Sequence, residues 1–221
     1  MNARALVLAR IGEALTDVPD DETPDSAPVP RAYSTVAPEV PDPVALFVAR
    51  VADYGATVIL TTEDRARQTI ATTLSERGIA ALVVPEGFPA DLLPEATGIR
   101  LGDAPRLSVE ALDAADGVLT TAAVGIAVTG TIVLDAGPGQ GRRALTLLPD
   151  YHLCVLREEQ IAGDVPAALA RLDPTAPLTF ISGPSATSDI ELDRVEGVHG
   201  PRTLDVIVVA ASPSYATEEA P

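Results

Sequence analysis

Short, unbroken runs of apolar residues recur along the chain after residue 43, without the polar alternation of a half-exposed strand. Such runs are typical of strands that are covered on both faces of a sheet. They predict a strand that begins at residue 117 and ends in a tight turn or short helix near residues 122–126. They also predict strands at residues 56–60, 79–85, 129–135, 151–156, 178–183 and 204–209.

Segments with helical periodicity lie between these strands, at residues 44–54, 63–77, 108–115 and 160–172. Apolar strands that alternate with helices predict an α/β fold, an open and mostly parallel sheet with helices on both faces. Ligands bind outside the carboxyl ends of the strands in such sheets. We therefore expect a ligand cleft in the loops that follow Leu60, Leu119, Leu134 and Ile181. The first of these loops contains Thr61, a candidate ligand-binding residue.

The first 43 residues differ in composition from the rest. Residues 1–16 predict an amphipathic helix and not an export signal, because arginines recur through the segment and no small-residue cleavage site appears. Residues 17–43 contain seven prolines, which exclude a regular helix or central strand and predict a linker or surface arm. We divide the chain into this helix and proline-rich arm at 1–43, an α/β domain at 44–212 and a flexible tail at 213–221.

Charge and composition exclude several classes of function. A net charge of -17 argues against binding to nucleic acid or to anionic membranes. No apolar stretch is long enough for a membrane-spanning helix. The chain contains no lysine, which excludes a Schiff-base lysine and a phosphate-binding P-loop. With a single cysteine and no export signal, we expect a cytoplasmic protein.

The segment 182–191 follows an apolar strand and combines hydroxyls, a glycine and carboxylates. Hydroxyls donate and accept hydrogen bonds without net charge, and a glycine lets the backbone approach a ligand closely. The alternative is that Ser188 or Asp189 merely caps a following helix. The candidate catalytic residues here are Asp189 and Glu191. The candidate ligand-binding residues are Ser182, Gly183, Pro184, Ser185 and Thr187.

A histidine flanked by glycines follows in the segment 197–201, just before the last strand. His199 is a candidate catalytic residue, because an exposed imidazole can act as a general base or donate to an oxyanion. Gly200 is a candidate binding residue beside it. The alternative is a turn histidine that bonds a neighbouring loop at Asp189 or Glu191, and both interpretations stay open. His152 lies inside an apolar strand, and we assign it a structural role.

Two glycine-rich segments complete the candidate site. Segment 122–131 is rich in small residues that would let two chain segments lie close and open a cleft, but it matches no dinucleotide or P-loop pattern. Its candidate binding residues are Gly125, Thr129, Gly130 and Thr131. Segment 137–141 predicts a mobile hairpin or lid. The arginine pair that follows it is a candidate anion clamp at Arg143, whereas Arg142 is as readily explained by an ion pair with Asp150.

Neither a metal nor a cofactor is expected in this chain. Two distant histidines and one cysteine provide no metal-ligand spacing, and iron–sulfur clusters usually take four cysteine ligands.

Several of these motifs together resemble the LUD domain of the lactate-utilization protein C family. They are Gly125-x-x-x-Thr129-Gly130-Thr131, Arg143-x-x-x-x-Leu148-Pro149-x-x-His152, GPSATSDIE and GVHGP, and the resemblance covers most of residues 44–210. It implies a fold similar to ribose-5-phosphate isomerase, glucosamine-phosphate isomerase and CoA-transferases. Family members commonly have arginine where this chain has Ala186, which shifts the expected anion contact to Arg143.

The resemblance implies a role in the oxidation of L-lactate to pyruvate, with iron–sulfur clusters carried by partner proteins. On this hypothesis the chain binds a small carboxylate or a nucleotide-like ligand. A second hypothesis is a non-catalytic assembly or regulatory module of an iron–sulfur oxidoreductase complex. A third is a stand-alone isomerase or CoA-transferase, for which Glu191 would be the nucleophilic carboxylate. Whether the chain is itself an enzyme stays open.

Overall fold

The computed structural model describes residues 2–19, 23, 30, 32, 40–95, 98–187, 195–197 and 199–211. Two compact units are distinguished, Met1–Ser34 and Thr35–Pro221. The first contains helix α1 (Ala3–Ala14), which begins at Asn2, where the side-chain oxygen accepts a hydrogen bond from Ala5 N at 2.8 Å. None of the residues of α1 is buried. The predicted tail and most of the predicted arm lie outside the described residues.

The second unit is built on a sheet of six parallel strands, which confirms the predicted α/β fold. In spatial order the strands are β1 (Thr57–Thr62), β12 (Thr203–Ala210), β7 (Tyr151–Arg157), β4 (Gly117–Thr121), β2 (Ala81–Val83) and β3 (Ile99–Leu101). Three helices accompany this main sheet, α2 (Pro43–Asp53), α3 (Glu63–Glu76) and α4 (Val109–Asp113). The runs that predicted β7 and β12 are mostly apolar because both faces of these strands are covered.

Successive residues of β7 and β12 belong to different cores, because side chains alternate between the two faces of a strand. On one face, Cys154, Leu156 and Val206 pack with Phe47 and Val51 of α2. On the other face, residues that include Leu153, Val155 and Ile207 pack with a set of α3 side chains, namely Ala66, Ile70 and Leu74. The sheet therefore lies between two apolar layers.

A second sheet of four strands lies outside the main one and was not predicted. Its order is β8 (Ile161–Ala162), β5 (Val124–Ile126), β6 (Thr131–Leu134) and β9 (Thr179–Ile181), and it is mixed. β6 is antiparallel to both β5 and β9, and β5 is parallel to β8. The predicted strands at 129–135 and 178–183 therefore exist, but they do not belong to the parallel sheet.

Two local predictions were wrong, and the structure shows why. Residues 122–126 do not form a turn or helix, because Val124–Ile126 pairs with β6 and the reversal comes later, at Gly130. The predicted helix at 160–172 contains the short strand β8 and then helix α5 (Val165–Leu169). The helix begins late because Asp164 caps it, with the side chain accepting from Ala167 N at 2.7 Å.

Within the part of the chain that the structure describes, no helix combines the length and apolar character needed to span a membrane.

Candidate functional site

A pocket of about 250 Å³ lies beside the first residues of β7 and β12 and the last residues of β9. Its lining consists of Arg143, Thr146, His152, Phe180, Ile181, Ser182, Gly183, Pro184, Ser185, Ala186, His199, Gly200, Pro201 and Leu204. We call it the Arg143 pocket. It lies at the amino ends of the main-sheet strands, so the expectation of a cleft at their carboxyl ends does not describe it. Among the described strands, β9 of the second sheet is the one whose carboxyl end lies at the pocket.

The carboxyl ends of β4 and β7 border a different pocket, of about 300 Å³. There the Arg157 guanidinium forms ion pairs with Glu63 and, at 3.8 Å, with Asp91. The charge of this arginine is therefore already balanced within the chain.

Ser185 joins the two polar loops that the sequence singled out. Its backbone N–H donates to Pro201 O at 2.8 Å, and its carbonyl accepts from Gly197 N at 2.9 Å. Its hydroxyl oxygen accepts from His199 N at 3.0 Å. Beside it, the short strands β10 (Ala186–Thr187) and β11 (Val195–Glu196) pair antiparallel. The two loops therefore form one wall of the Arg143 pocket.

Seven of the predicted site residues line this pocket together. They are Arg143, Ser182, Gly183, Pro184, Ser185, His199 and Gly200. Asp189 and Glu191 lie outside the described residues, and so does the side chain of Thr187. The roles predicted for these three residues stay predictions, and so do both interpretations of His199, which is exposed.

Arg143 begins a single 3-10 turn, Arg143–Thr146, that leads into β7. Its Nη1 donates to Thr146 O at 2.7 Å and to Thr146 Oγ1 at 3.0 Å, which fixes the side chain. None of the ion pairs among the described residues includes Arg143. Partial burial lowers the pKa of the Arg143 guanidinium, with no carboxylate to offset it. The pocket thus contains a fixed positive charge that these residues leave unbalanced.

The neighbouring Arg142 is used differently. Its Nε and Nη2 donate to both carboxylate oxygens of Asp103, at 2.7 and 2.9 Å, and Nη2 also donates to Leu107 O at 2.9 Å. The hydrogen bonds from Arg142 lower the pKa of Asp103. Arg142 does form an ion pair, as the alternative predicted, but its partner is Asp103. The predicted partner, Asp150, pairs with Arg202 instead.

His152 is the pocket residue whose position sequence reasoning missed. Its side chain is buried, and its Nε2 lies 2.8 Å from Thr120 Oγ1 on the adjacent strand β4. Burial lowers the pKa of His152 to about 4, and the charge of Arg143 acts in the same direction. The imidazole is therefore neutral at pH 7. The signal that could have found it was its place in the same motif as Arg143, nine residues further along the chain.

Three threonine and serine hydroxyls support the loop wall from the second sheet. Thr131 Oγ1 lies 2.8 Å from Ser182 Oγ and 2.7 Å from Thr129 Oγ1. Ser182 lines the pocket, whereas the two threonines stand behind it. The threonines predicted as ligand-binding residues are thus linked to the pocket through Ser182.

Three other predicted binding residues do not line the Arg143 pocket. Thr61 is buried, with its hydroxyl 2.8 Å from Thr69 Oγ1. A Cβ at Gly125 would lie 2.8 Å from Leu156 Cδ2 in the core. Gly130 adopts a left-handed backbone, and a Cβ there would lie 2.6 Å from the carbonyl carbon of Arg50. These glycines are explained by packing between β5, β6, α2 and β7.

The glycine-rich segment 137–141 is not the second wall of the pocket. Gly139 N donates to Glu86 O at 2.8 Å, and Gly139 O accepts from Thr121 N at 2.9 Å. The Gln140 side chain is buried, and its oxygen accepts from Asp135 N at 2.7 Å. These bonds hold the segment against residues near 86 and 121, and none of its residues lines the Arg143 pocket.

Among the residues that the structure describes, no group of three or more metal-ligating side chains lies together. The Arg143 pocket combines a guanidinium that has no ion pair among the described residues, a serine hydroxyl and two imidazoles, which are groups that can bind an anion. Ala186 also lines the pocket, and it adds no charge to the loop wall.

Known proteins resemble this chain in sequence. A profile of the LUD domain matches residues 106–209. Lactate utilization protein C of Deinococcus radiodurans is 49% identical over 167 residues, which cover 74% of this chain and 77% of that protein. Lactate utilization protein C of Halalkalibacterium halodurans is 38% identical over 110 residues, which cover 46% of this chain and 47% of that protein.

A solved structure resembles the chain as well. The crystal structure of a duf162 family protein from Deinococcus radiodurans superposes with a TM-score of 0.64 at 40% sequence identity. The superposition covers 76% of this chain and 96% of that chain. The shared architecture therefore extends well beyond the pocket.

Proposed function

Because the chain belongs to the lactate utilization protein C family, we propose that it takes part in the use of L-lactate in the cytoplasm. In this role the Arg143 pocket binds a small carboxylate. The observation that carries the proposal is the fixed guanidinium of Arg143, which has no ion pair among the described residues. In a chain with a net charge of -17, a positive group without a counterion is a natural site for an anionic ligand.

The size of the pocket supports a ligand of a few carbons. Its volume of about 250 Å³ is below the roughly 300–1000 Å³ of pockets that hold drug-sized ligands. Lactate and pyruvate fit this size better than a nucleotide or a CoA ester, which would project out of the pocket.

We place the redox cofactors on partner proteins. The sequence contains one cysteine, which is buried in β7, and iron–sulfur clusters usually take four cysteine ligands. The chain would therefore bind the carboxylate, and iron–sulfur proteins of the same system would carry the electrons.

Calorimetric titration of the purified protein with L-lactate and pyruvate tests this proposal. We expect binding that Arg143→Ala weakens by about 10- to 100-fold, because charge-assisted hydrogen bonds are lost. Arg65→Ala is the matched control, since Arg65 is exposed on α3 and does not line the pocket. No binding of either carboxylate, or equal binding by wild type and Arg143→Ala, would contradict the proposal.

One observation favours the alternative of an assembly module. Helix α1 exposes large apolar side chains, namely Leu6, Val7, Leu8 and Ile11. On that alternative, co-purification with an iron–sulfur partner is lost when residues 1–42 are deleted but survives substitution of His199. The isomerase or CoA-transferase alternative depends on Glu191, which lies outside the described residues.

A further inference from the structure

The imidazole of His152 has one ring nitrogen bonded within the chain and one that is not. Nε2 is paired with Thr120 Oγ1 at 2.8 Å. Among the described residues, no group forms a hydrogen bond with Nδ1, although the side chain is only 1% exposed. Buried polar atoms are nearly always hydrogen-bonded. His152 lines the Arg143 pocket, so a partner for Nδ1 is to be sought in what the pocket binds.

The neutral state of His152 separates its role from that of Arg143. Burial and the nearby guanidinium both oppose protonation of the ring, so a neutral His152 lies in the same pocket as the cationic Arg143. The cation suits a carboxylate. A neutral N–H suits an uncharged oxygen, because such a bond adds specificity without a second charge.

The direction of the hydrogen bond between Thr120 and Nε2 is coupled to the tautomer of the ring, since the hydroxyl can either donate or accept. When the Thr120 hydroxyl donates to Nε2, the proton of the neutral ring is on Nδ1. A pocket that attracts an anion favours this tautomer, because an N–H directed toward an acceptor is attractive and a lone pair is repulsive. Thr120 is therefore a positioning residue for the Nδ1 proton of His152.

We infer that His152 is the specificity-determining residue of the Arg143 pocket, which selects carboxylates that carry a hydroxyl or keto oxygen on the adjacent carbon. Arg143 holds the carboxylate, and Nδ1–H of His152 donates to the oxygen at C2. This inference rests on the proposed function, because it requires that Arg143 holds the carboxylate.

The test compares ligands that differ at C2. L-Lactate, pyruvate and propionate each have three carbons and one carboxylate, but propionate has no oxygen at C2. We expect calorimetry of the full-length protein to show that lactate and pyruvate bind at least about tenfold more tightly than propionate. Inorganic phosphate, which provides charge without this geometry, is expected to bind more weakly than lactate.

Two substitutions of His152 test the two ring nitrogens separately. His152→Gln reaches the position of Nε2 and keeps the bond to Thr120, so we expect discrimination between lactate and propionate to fall below about twofold. His152→Asn keeps an N–H near the position of Nδ1, so part of the discrimination is expected to remain. Propionate affinity should change little in either variant, since Arg143 is intact.

Thr120→Val provides a test that leaves His152 in place, in case the histidine variants do not fold. Nitrogen-15 NMR of wild type is expected to show a protonated Nδ1 and an unprotonated Nε2. In Thr120→Val the tautomer is no longer held, so both this signature and the preference for lactate over propionate should weaken. A purely structural Thr120 would leave the ligand preference unchanged.

The outcomes separate the two proposals. If no carboxylate binds, or if Arg143→Ala has no effect, the proposed function is overturned together with the inference. If binding depends on Arg143 but wild type holds propionate or phosphate as tightly as lactate, only the inference is overturned. Full discrimination in His152→Gln, or an Nε2-protonated ring in wild type, also overturns the inference alone.

Discussion

At the amino ends of β7 and β12, the two faces of the main sheet carry polar side chains that differ in how fully they are paired. On the α3 face, Arg77 donates to both oxygens of Asp205, at 2.8 and 2.7 Å, and Tyr151 Oη donates to the same carboxylate at 2.9 Å. On the other face, one residue along the chain, lies His152 with the Arg143 pocket. There the described residues pair neither the charge of Arg143 nor His152 Nδ1.

Both faces carry polar groups, so it is the extent of pairing that separates the structural network from the candidate binding site. Asp205 is 1% exposed, and both of its oxygens are bonded. Such a network contributes to stability and offers little to a ligand. Thr146 is the only hydrogen-bond partner of Arg143 among the described residues. The guanidinium therefore has N–H groups left to donate to a ligand.

The largest expected effect on stability comes from the network on the α3 face. Arg77→Gln leaves the buried Asp205 carboxylate without its cation, so we expect the free energy of unfolding to fall by about 3 kcal/mol. This is the lower end for a buried pair, because 39% of the Arg77 side chain is already exposed. Urea denaturation measures the loss, with Arg65→Ala as a control expected to stay within about 0.5 kcal/mol. A loss of the same size in Arg143→Ala would remove the contrast between the faces.

A pH titration of stability sharpens the pocket side of the comparison. The pKa of His152 is lowered in the folded state to about 4, from an ordinary value of 6.5, so the unfolded chain takes up a proton first as the pH falls. Its contribution therefore makes the protein less stable below pH 6.5, and the loss continues to about pH 4. Between pH 7 and pH 5 the expected loss is about 2 kcal/mol. His152→Gln should lack it, so identical pH profiles for variant and wild type would contradict the assignment.

The adjacent arginines provide a smaller and more local contrast. Arg142→Ala removes a bidentate pair to the largely buried Asp103, so we expect the free energy of unfolding to fall by about 1–2 kcal/mol. Arg143→Ala removes no ion pair among the described residues, but it removes two hydrogen bonds to the buried Thr146, so we expect a smaller fall of about 0.5–1 kcal/mol. Urea denaturation of both variants checks this order. If Arg143→Ala proved the more damaging, Arg143 would be part of the structural framework.

The smallest expected effect concerns the loop wall. Ser185→Ala keeps the two backbone bonds of this residue but removes the hydroxyl that accepts from His199 N. We expect about a three- to tenfold loss of carboxylate affinity, because the second loop is held less firmly. Calorimetric titration with L-lactate measures the change. Unchanged affinity would show that the backbone bonds alone hold the wall.

The sequence predicted the main sheet well where both faces of a strand are buried. β7 and β12 were found because nearly every position in them is buried and most are apolar. β3 was not predicted, because Ile99–Leu101 is short and two of its three residues are exposed. The second sheet was missed for another reason: periodicity indicates a strand but not its partner, and β6 and β9 pair with each other instead of entering the main sheet.

The site was predicted in part for a similar reason. The loops around Ser185 and His199 were recognisable from their own polar residues, and so was Arg143. The location of the pocket depends on β9 ending beside the start of β7, which no local pattern reveals. His152 was given a structural role because it lies in an apolar strand. Its contact with both Thr120 and the pocket follows from neighbours that are distant in sequence.

The alternation of side chains along β7 has a consequence for how such a protein can diverge. Residue 151 faces the paired network and residue 152 faces the pocket, although they are consecutive in the chain. Substitutions in the lining of the pocket can therefore accumulate on one face while selection for folding acts on the other. A shift of β7 by a single residue would exchange the two faces, which would disrupt the paired network and the pocket at once. Insertions and deletions in this strand should therefore be far less tolerated than point changes.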